Sequence, residues 1–432
     1  MKQATLFLFS YLTATLISST IAQTNKPFVT VDGQQFILNN KSVYFTGVNY
    51  WYGGLLATGK NKEKGKRRLI AELDFLQAQG ISNLRVIAAV EASGNITGVQ
   101  RIGPAFQTSA GIFNESYLDG LDFLLSEMNK RRMKAVLFLS NNWEWSGGFL
   151  QYLQWERLIP DSVFARKLSW DEMRDYTSKF YSCTECIKNY HLQVKKILTH
   201  TNTMNGIVYK NDPTIMSWEL ANEPRPMRPE ANRAYFSWIR STAALIKQAD
   251  PNHLLCVGHE GVVGTGFDTS LYKEIHALKD IDYLTIHIWP KNWGWINTNA
   301  MDSGFAGMME KVTSYLDTHM QFASELNKPL VLEEFGFPRD AGSFSPTATT
   351  HYRDKMFTSL LKVYEQSREA GKPLAGFNIW AFAGLGRPIK SQLMWKPGDE
   401  YIGDPPMEEQ GLYSIFDADS STWKLIRSVQ NH

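Results

Sequence analysis

Two glutamates stand four positions apart in Trp218-Glu219-Leu220-Ala221-Asn222-Glu223-Pro224-Arg225, an otherwise largely apolar stretch that runs into a proline and an arginine. An ionised carboxylate without a partner is costly to bury, so core strands do not ordinarily carry one. A second acidic pair, Glu333-Glu334, closes another apolar run. Further runs carry or end in Asn49-Tyr50-Trp51, Arg85, Asn141-Asn142-Trp143, His259-Glu260, His287 with Trp289, and Trp380. Carboxylates on opposite sides of one site suit glycosidic bond cleavage, in which one acid protonates the leaving oxygen while the other attacks the anomeric carbon or activates water. Flat indoles suit the apolar C–H faces of sugars, and Trp51, Trp143, Trp145, Trp289, Trp293, Trp295 and Trp380 all lie at or just past run ends. A Gly-rich phosphate loop and a Ser nucleophile motif are missing, and His259, Glu260 and His287 lack tight metal-ligand spacing. No metal or other cofactor is expected.

These residues need elements to position them. Apolar runs recur at 43–50, 81–90, 134–143, 215–223, 253–260, 281–289, 329–337 and 374–382, separated by amphipathic helical patterns such as 66–79, 117–131, 171–199, 232–249 and 351–370. Near-continuous apolar strands alternating with helices indicate a parallel sheet covered on its outer face. Eight such units predict an α/β fold, a single-domain (β/α)8 TIM barrel, whose active site lies at the C-terminal strand ends. Segment 28–42, with its Asp32-Gly33 turn, predicts a short β-hairpin before the first barrel strand, and 144–170, 290–305 and 384–415 read as loops at the barrel mouth.

Side chains alternate along a strand. Glu219 and Glu223 are therefore expected to face the same way, Glu223 at the rim and Glu219 one layer below, bonded to an inward polar partner such as Arg85. Alternation allows only one of Glu333 and Glu334 to face the site, and periodicity does not choose between them. If it is Glu334, then Leu330 and Leu332 line the barrel and Glu333 points out among the helices.

The 432 residues carry 45 basic and 43 acidic side chains, a formal charge of +2, with no basic tail that would suggest nucleic acid. Lys2, the apolar run 4–22 and small residues near its end read as a signal peptide over 1–22, leaving 23–432 as the catalytic domain. A secreted or periplasmic location follows, with no membrane association after cleavage, and a monomer is expected. Cys183 and Cys186 form a C-x-x-C in a helix-like segment; a local disulfide and two reduced thiols both fit.

The run "WELANEPR" ending the fourth strand and "VLEEFGF" (331–337) ending the seventh resemble glycoside hydrolase family 5. The stretches "NNWEWSGG" (141–148), "HIWPKNWGW" (287–295), "GFNIWAFAG" (376–384) and "GDPPMEEQGLYSIFD" (403–417) resemble its endo-β-1,4-mannanase branch. The resemblance spans about 28–432. It implies retaining hydrolysis of β-1,4-linkages in mannan, glucomannan, galactomannan or manno-oligosaccharides, with Glu223 as acid/base and Glu334 as nucleophile. It further implies Asn222 at the sugar 2-hydroxyl, Arg85 and His287 orienting the nucleophile, and Trp380 flooring the reacting subsite. Arg225 would act on the leaving-group side, and Trp51 and Trp143 as binding aromatics. Trp289 stands where many members of the family have Tyr, which moves the donor that the nucleophile would receive. A cellulase or other β-1,4-glucan hydrolase is the alternative within the same mechanism, and a non-catalytic glycan-binding barrel the alternative outside it.

Overall fold

A computed structural model describes residues 28–429, so the expected signal segment 1–22 lies outside the described residues. Eight parallel strands form the central sheet: β1 (Phe45–Asn49), β2 (Asn83–Ile87), β3 (Lys134–Phe138), β4 (Ile215–Glu219), β5 (Leu254–Cys256), β6 (Leu284–Ile288), β7 (Leu330–Phe335) and β8 (Leu374–Ile379). Their ladder order is β5-β4-β3-β2-β1-β8-β7-β6. The gap between the two ends is closed by the Asp282 N–H donating to the Leu255 carbonyl at 2.9 Å and the His287 N–H donating to that of Glu260 at 3.2 Å. The barrel is complete, and all eight expected runs supply a strand.

Each strand is followed by a helix of the outer layer, α1 (Lys62–Ala78), α2 (Leu118–Lys130), α3 (Thr184–Thr199), α4 (Asn232–Ala249), α5 (Thr269–His276), α6 (Met301–Leu326), α7 (His351–Glu369) and α8 (Ser420–Ser428), with further short helices after β1 and β3. Among the described residues no helix is long and apolar enough to cross a membrane. The pattern 171–199 is not one helix. It breaks into Trp170–Thr177, a 3-10 turn over Ser178–Ser182, and α3, whose N-cap is Cys183. Cys183 and Cys186 are bridged, so of the two open readings the disulfide holds.

The N-terminal hairpin gains a third strand, pairing Thr30–Asp32, Gln35–Leu38 and Lys41–Val43 in an antiparallel ribbon. Asn39 and Asn40 turn its second corner with φ of 52° and 60°, the two-residue geometry that Asn tolerates. Phe36 of this ribbon packs with Phe45, Met216, Cys256, Tyr283 and Val331 in a separate apolar cluster, which floors the barrel at the end opposite the mouth.

Candidate active site

Arg85 on β2 is the centre of the mouth. It is fully buried and grips Glu219 with two bonds, Nε to Oε2 at 2.7 Å and Nη2 to Oε1 at 2.6 Å. Its Nη1 reaches Asn49 Oδ1 at 3.0 Å and also Glu334, and its Nη2 reaches Asn222 Oδ1 at 2.7 Å. Burial by itself would lower this guanidinium's pKa, but Glu219, Glu333 and Glu334 together hold it well above the ordinary value. Glu219 is thus the buried partner of Arg85 that the sequence led us to expect. Its close packing needs Gly258, because a Cβ there would lie 2.3 Å from Glu219 Oε1 and 2.1 Å from the Ala221 carbonyl.

Strand alternation does not place Glu223, because β4 ends at Glu219. The chain continues irregularly between its neighbours, with the Asn222 N–H donating to the Ser140 carbonyl at 2.9 Å and the Glu223 N–H to that of Gly258 at 3.0 Å. Glu223 adopts φ of 51°. A non-glycine residue in that left-handed region costs of order 1–3 kcal/mol and persists where surrounding structure over-determines it; bonds to two adjacent strand ends do so here.

Glu223 Oε1 lies 2.7 Å from Nδ1 of His287, and the Trp143 indole N–H donates to Glu223 Oε2 at 2.5 Å. His287 Nδ1 is also 3.2 Å from Glu334 Oε2. Glu223, His287 and Glu334 each bring one oxygen or nitrogen within 4.8 Å of the others. Burial raises the pKa of both carboxyls; Arg225 opposes it most at Glu223 and Arg85 most at Glu334. Each carboxyl is also close enough for ionisation of one to disfavour ionisation of the other. The Arg85 contact opposes that rise at Glu334 and favours its negative charge, as Arg225 and the Trp143 indole do at Glu223. His287 is held neutral near a pKa of about 4 by burial. Trp289 lines the cleft with both carboxyls, and its indole favours the ionised form of Glu223.

Glu333 departs from expectation. It is buried, with Oε2 at 3.8 Å from Arg85 Nε and 3.6 Å from His287 Nε2, inside the barrel. The reason is a register shift: Ile286 pairs with Leu332 but His287 with Glu334, so Glu333 is an extra residue on β7. A bulge breaks alternation locally, and both glutamates face in. Val331 belongs to the floor cluster, whereas Leu330 and Leu332 belong to the larger cluster that carries the helix packing, so they do not line the barrel as expected.

Glu223, Glu334, Asn222, Trp143, Arg225, Trp289 and Trp380 all line one cleft of about 310 Å³. Trp51 is not part of that lining. It is fully buried behind it, edge-on to Trp145 and donating its indole N–H to the Gly403 carbonyl at 2.7 Å. Being at a strand end was not enough, since the ring turned away from the opening. Arg225 is paired through Nε and Nη2 with Glu260 at 2.5 and 2.6 Å, and its guanidinium lies 5.1 Å from the centroid of Trp143. Trp170 stacks beside Trp143 at 6.3 Å and lines the same cleft, as do Asn292, Met407 and Glu408. None of the four ends a barrel strand: Asn292, Met407 and Glu408 sit in loops and Trp170 opens a short helix after β3, so strand ends did not point to them.

Two triads of metal-capable side chains come together among the described residues, Glu223-His287-Glu334 and Glu219-Cys256-Glu333. Arg85 contacts members of both, and a guanidinium at that range repels a cation, so neither set fits a metal.

The family described as "GH family 5 beta-mannosidase-like" matches residues 26–432. The chain is 30% identical over 364 residues to mannan endo-1,4-beta-mannosidase 1 of Oryza sativa subsp. japonica, covering 81% of this chain and 77% of that one. It is 29% identical over 378 residues to mannan endo-1,4-beta-mannosidase 4 of Solanum lycopersicum, covering 85% and 86%. Among solved structures, the glycoside hydrolase family 5 mannosidase of Rhizomucor miehei superposes with a TM-score of 0.82 at 31% identity, covering 93% of this chain and 96% of that one. The endo-1,4-beta-mannanase of the same organism, at 23% identity and a TM-score of 0.66, shares the fold.

Proposed function

The chain belongs to glycoside hydrolase family 5, and from that membership we propose that it hydrolyses β-1,4-mannosidic linkages in mannan, glucomannan or galactomannan with retention. Glu223 protonates the leaving oxygen and Glu334 attacks the anomeric carbon; Glu223, now ionised, then activates the water that releases the sugar. The observation that carries this reading is the approach of a Glu223 oxygen to within 4.8 Å of one of Glu334. Retaining enzymes hold their carboxyl groups roughly 5–5.5 Å apart, whereas inverting ones leave about 6.5–9.5 Å for a water. In the proposal, Asn222 holds the 2-hydroxyl, Arg85 and His287 orient Glu334, Trp380 floors the reacting sugar, and Trp143, Trp289 and Arg225 form the cleft walls. Export by a signal peptide over 1–22 belongs to the same proposal. Mannan rather than glucan is supported by the printed names of the curated relatives, which are mannan endo-1,4-beta-mannosidases. The test is reducing-sugar release: mannan yields product and carboxymethylcellulose does not. The reverse pattern transfers the reading to the glucan alternative.

A second reading, action on short mannosides from a chain end, is favoured by one observation. The Rhizomucor miehei mannosidase, solved with mannosyl-fructose in one of its forms, superposes more closely than the endo-mannanase of that organism. A fast fall in galactomannan viscosity relative to sugar release supports the endo reading, and mannose release without that fall supports the second.

A further inference from the structure

Glu333 Oε2 and His287 Nε2 are both buried and both lack a hydrogen-bond partner, and they face each other at 3.6 Å. Buried polar atoms are almost always bonded, and one proton between these two would satisfy both. We propose that Glu333 is a positioning residue that donates this proton to His287 Nε2 and so fixes the imidazole as the Nδ1–H tautomer that serves both catalytic carboxylates. The proposal rests on the roles assigned above to Glu223 and Glu334.

The surroundings decide which group holds the proton. Glu333 is faced by Arg85 of β2, Glu219 of β4, Cys256 of β5, Tyr283 just before β6, His287 of β6 and Tyr272 of α5, with Glu334 beside it. The Asn49 amide of β1 reaches only its main-chain carbonyl, at 2.9 Å. Arg85 is committed to Glu219, gripping both oxygens at 2.6–2.7 Å, and stands 3.8 Å from Glu333. Burial, and after it the charge on Glu219, pushes the Glu333 carboxyl up, and Arg85 and His287 oppose that rise without reversing it. The Cys256 thiol and the Tyr272 and Tyr283 phenols are held well above their ordinary values by burial and stay neutral. Glu333 is therefore the proton carrier and Glu219 the ion-pair partner.

The tautomer matters because negative charge changes place during the reaction. Before the first step it lies on Glu334. A bond then forms from Glu334 to the anomeric carbon, the bond to the leaving oxygen breaks, and the Glu223 proton passes to that oxygen, so the charge now lies on Glu223. His287 Nδ1, 3.2 Å from Glu334 Oε2 and 2.7 Å from Glu223 Oε1, can donate to either without moving its ring. A neutral imidazole has one N–H. An ionised Glu333 would draw that proton to Nε2 and leave a lone pair on Nδ1 facing the anion.

The test compares Glu333→Gln, whose amide N–H still donates to Nε2, with Glu333→Leu, which cannot donate. The tautomer is read by 15N NMR of labelled histidine, with the His287 signal assigned by its loss in His287→Gln. We expect the Nδ1–H form in wild type and in Glu333→Gln, with kcat of the latter within about threefold, the scale of one neutral hydrogen bond exchanged for another. Glu333→Leu should lose Nδ1–H as the sole form and lower kcat about ten- to a hundredfold with little change in KM, as for a lost hydrogen bond to a charged group. Raising the pH until Glu333 ionises should switch the tautomer in wild type but not in Glu333→Gln, which decides the matter even if Glu333→Leu does not fold. An Nε2–H imidazole in wild type, or a pH response in Glu333→Gln matching that of wild type, would overturn the proposal. The tautomer is read without substrate, so it stands or falls separately from the roles of Glu223 and Glu334, which are tested by chemical rescue.

Discussion

Trp143 donates its indole N–H to a carboxylate oxygen of Glu223 at 2.5 Å, so a ring that walls the cleft also holds the group assigned as the acid. The bond favours the ionised form of Glu223 against the burial that disfavours it. Trp143→Phe keeps a ring and removes the donor, so the Glu223 pKa should rise further. Glu223 acts as an acid when protonated, and the alkaline limb of the kcat/KM profile should therefore move to higher pH. The plateau should fall about tenfold, because the glycosyl-enzyme state leaves Glu223 ionised with one donor fewer. An alkaline limb that moved to lower pH would remove Glu223 from the acid role.

Arg225→Ala is expected to weaken use of mannotriose to mannopentaose, for which leaving-side contacts matter, but the structure adds a cost to the fold. Arg225 is paired through two bonds with Glu260, which is 1% exposed. Removing one partner of such a pair costs about 3 kcal/mol, because the other charge stays buried. In the variant the folded-state pKa of Glu260, already raised by burial, loses its main opposing charge and rises further. The defect is then fully present above that folded pKa and disappears as the pH falls below the unfolded value. Urea unfolding of wild type and variant at pH 8 and pH 4 measures it, and equal losses at the two pH values would rule out this account.

The barrel was legible because strands buried on both faces read as unbroken apolar runs, and each of the eight runs carries a strand. The Glu219–Arg85 pair was legible for a related reason: a carboxylate inside such a run requires a cation, and Arg85 was the inward candidate. Glu333 was not legible, since a bulge is a property of two paired strands and period-two reading sees only one. Trp51 and Trp170 show the limit outside the strands. Trp51 lies in a turn and is turned behind the site, and Trp170 opens a short helix and stacks beside Trp143; neither orientation has a local sequence signal. Likewise the strand expectation over 215–223 missed the irregular end at Leu220–Glu223, where bonds from two neighbouring strands and not the local residues set the backbone.

The adjacent glutamates of β7 give the sharpest separation of roles, because both are buried and both lie inside the barrel. Glu334→Ala removes the assigned nucleophile and opens space on the side from which it attacks. Azide can enter there with Glu223 intact as acid, and the product from a β-mannoside with a good leaving group should be the α-mannosyl azide. Glu223→Ala should instead still form the glycosyl-enzyme from such a substrate, and azide attacking it from the other face should give the β-mannosyl azide. Glu333→Ala vacates a space below the mouth, next to Cys256 and Glu219, where azide cannot reach the anomeric carbon, so its loss of activity should not be rescued. NMR of the azide products distinguishes the three. A β-azide from Glu334→Ala would exchange the two catalytic roles, and rescue of Glu333→Ala with Glu334→Ala still active would move the nucleophile one residue back along the bulge.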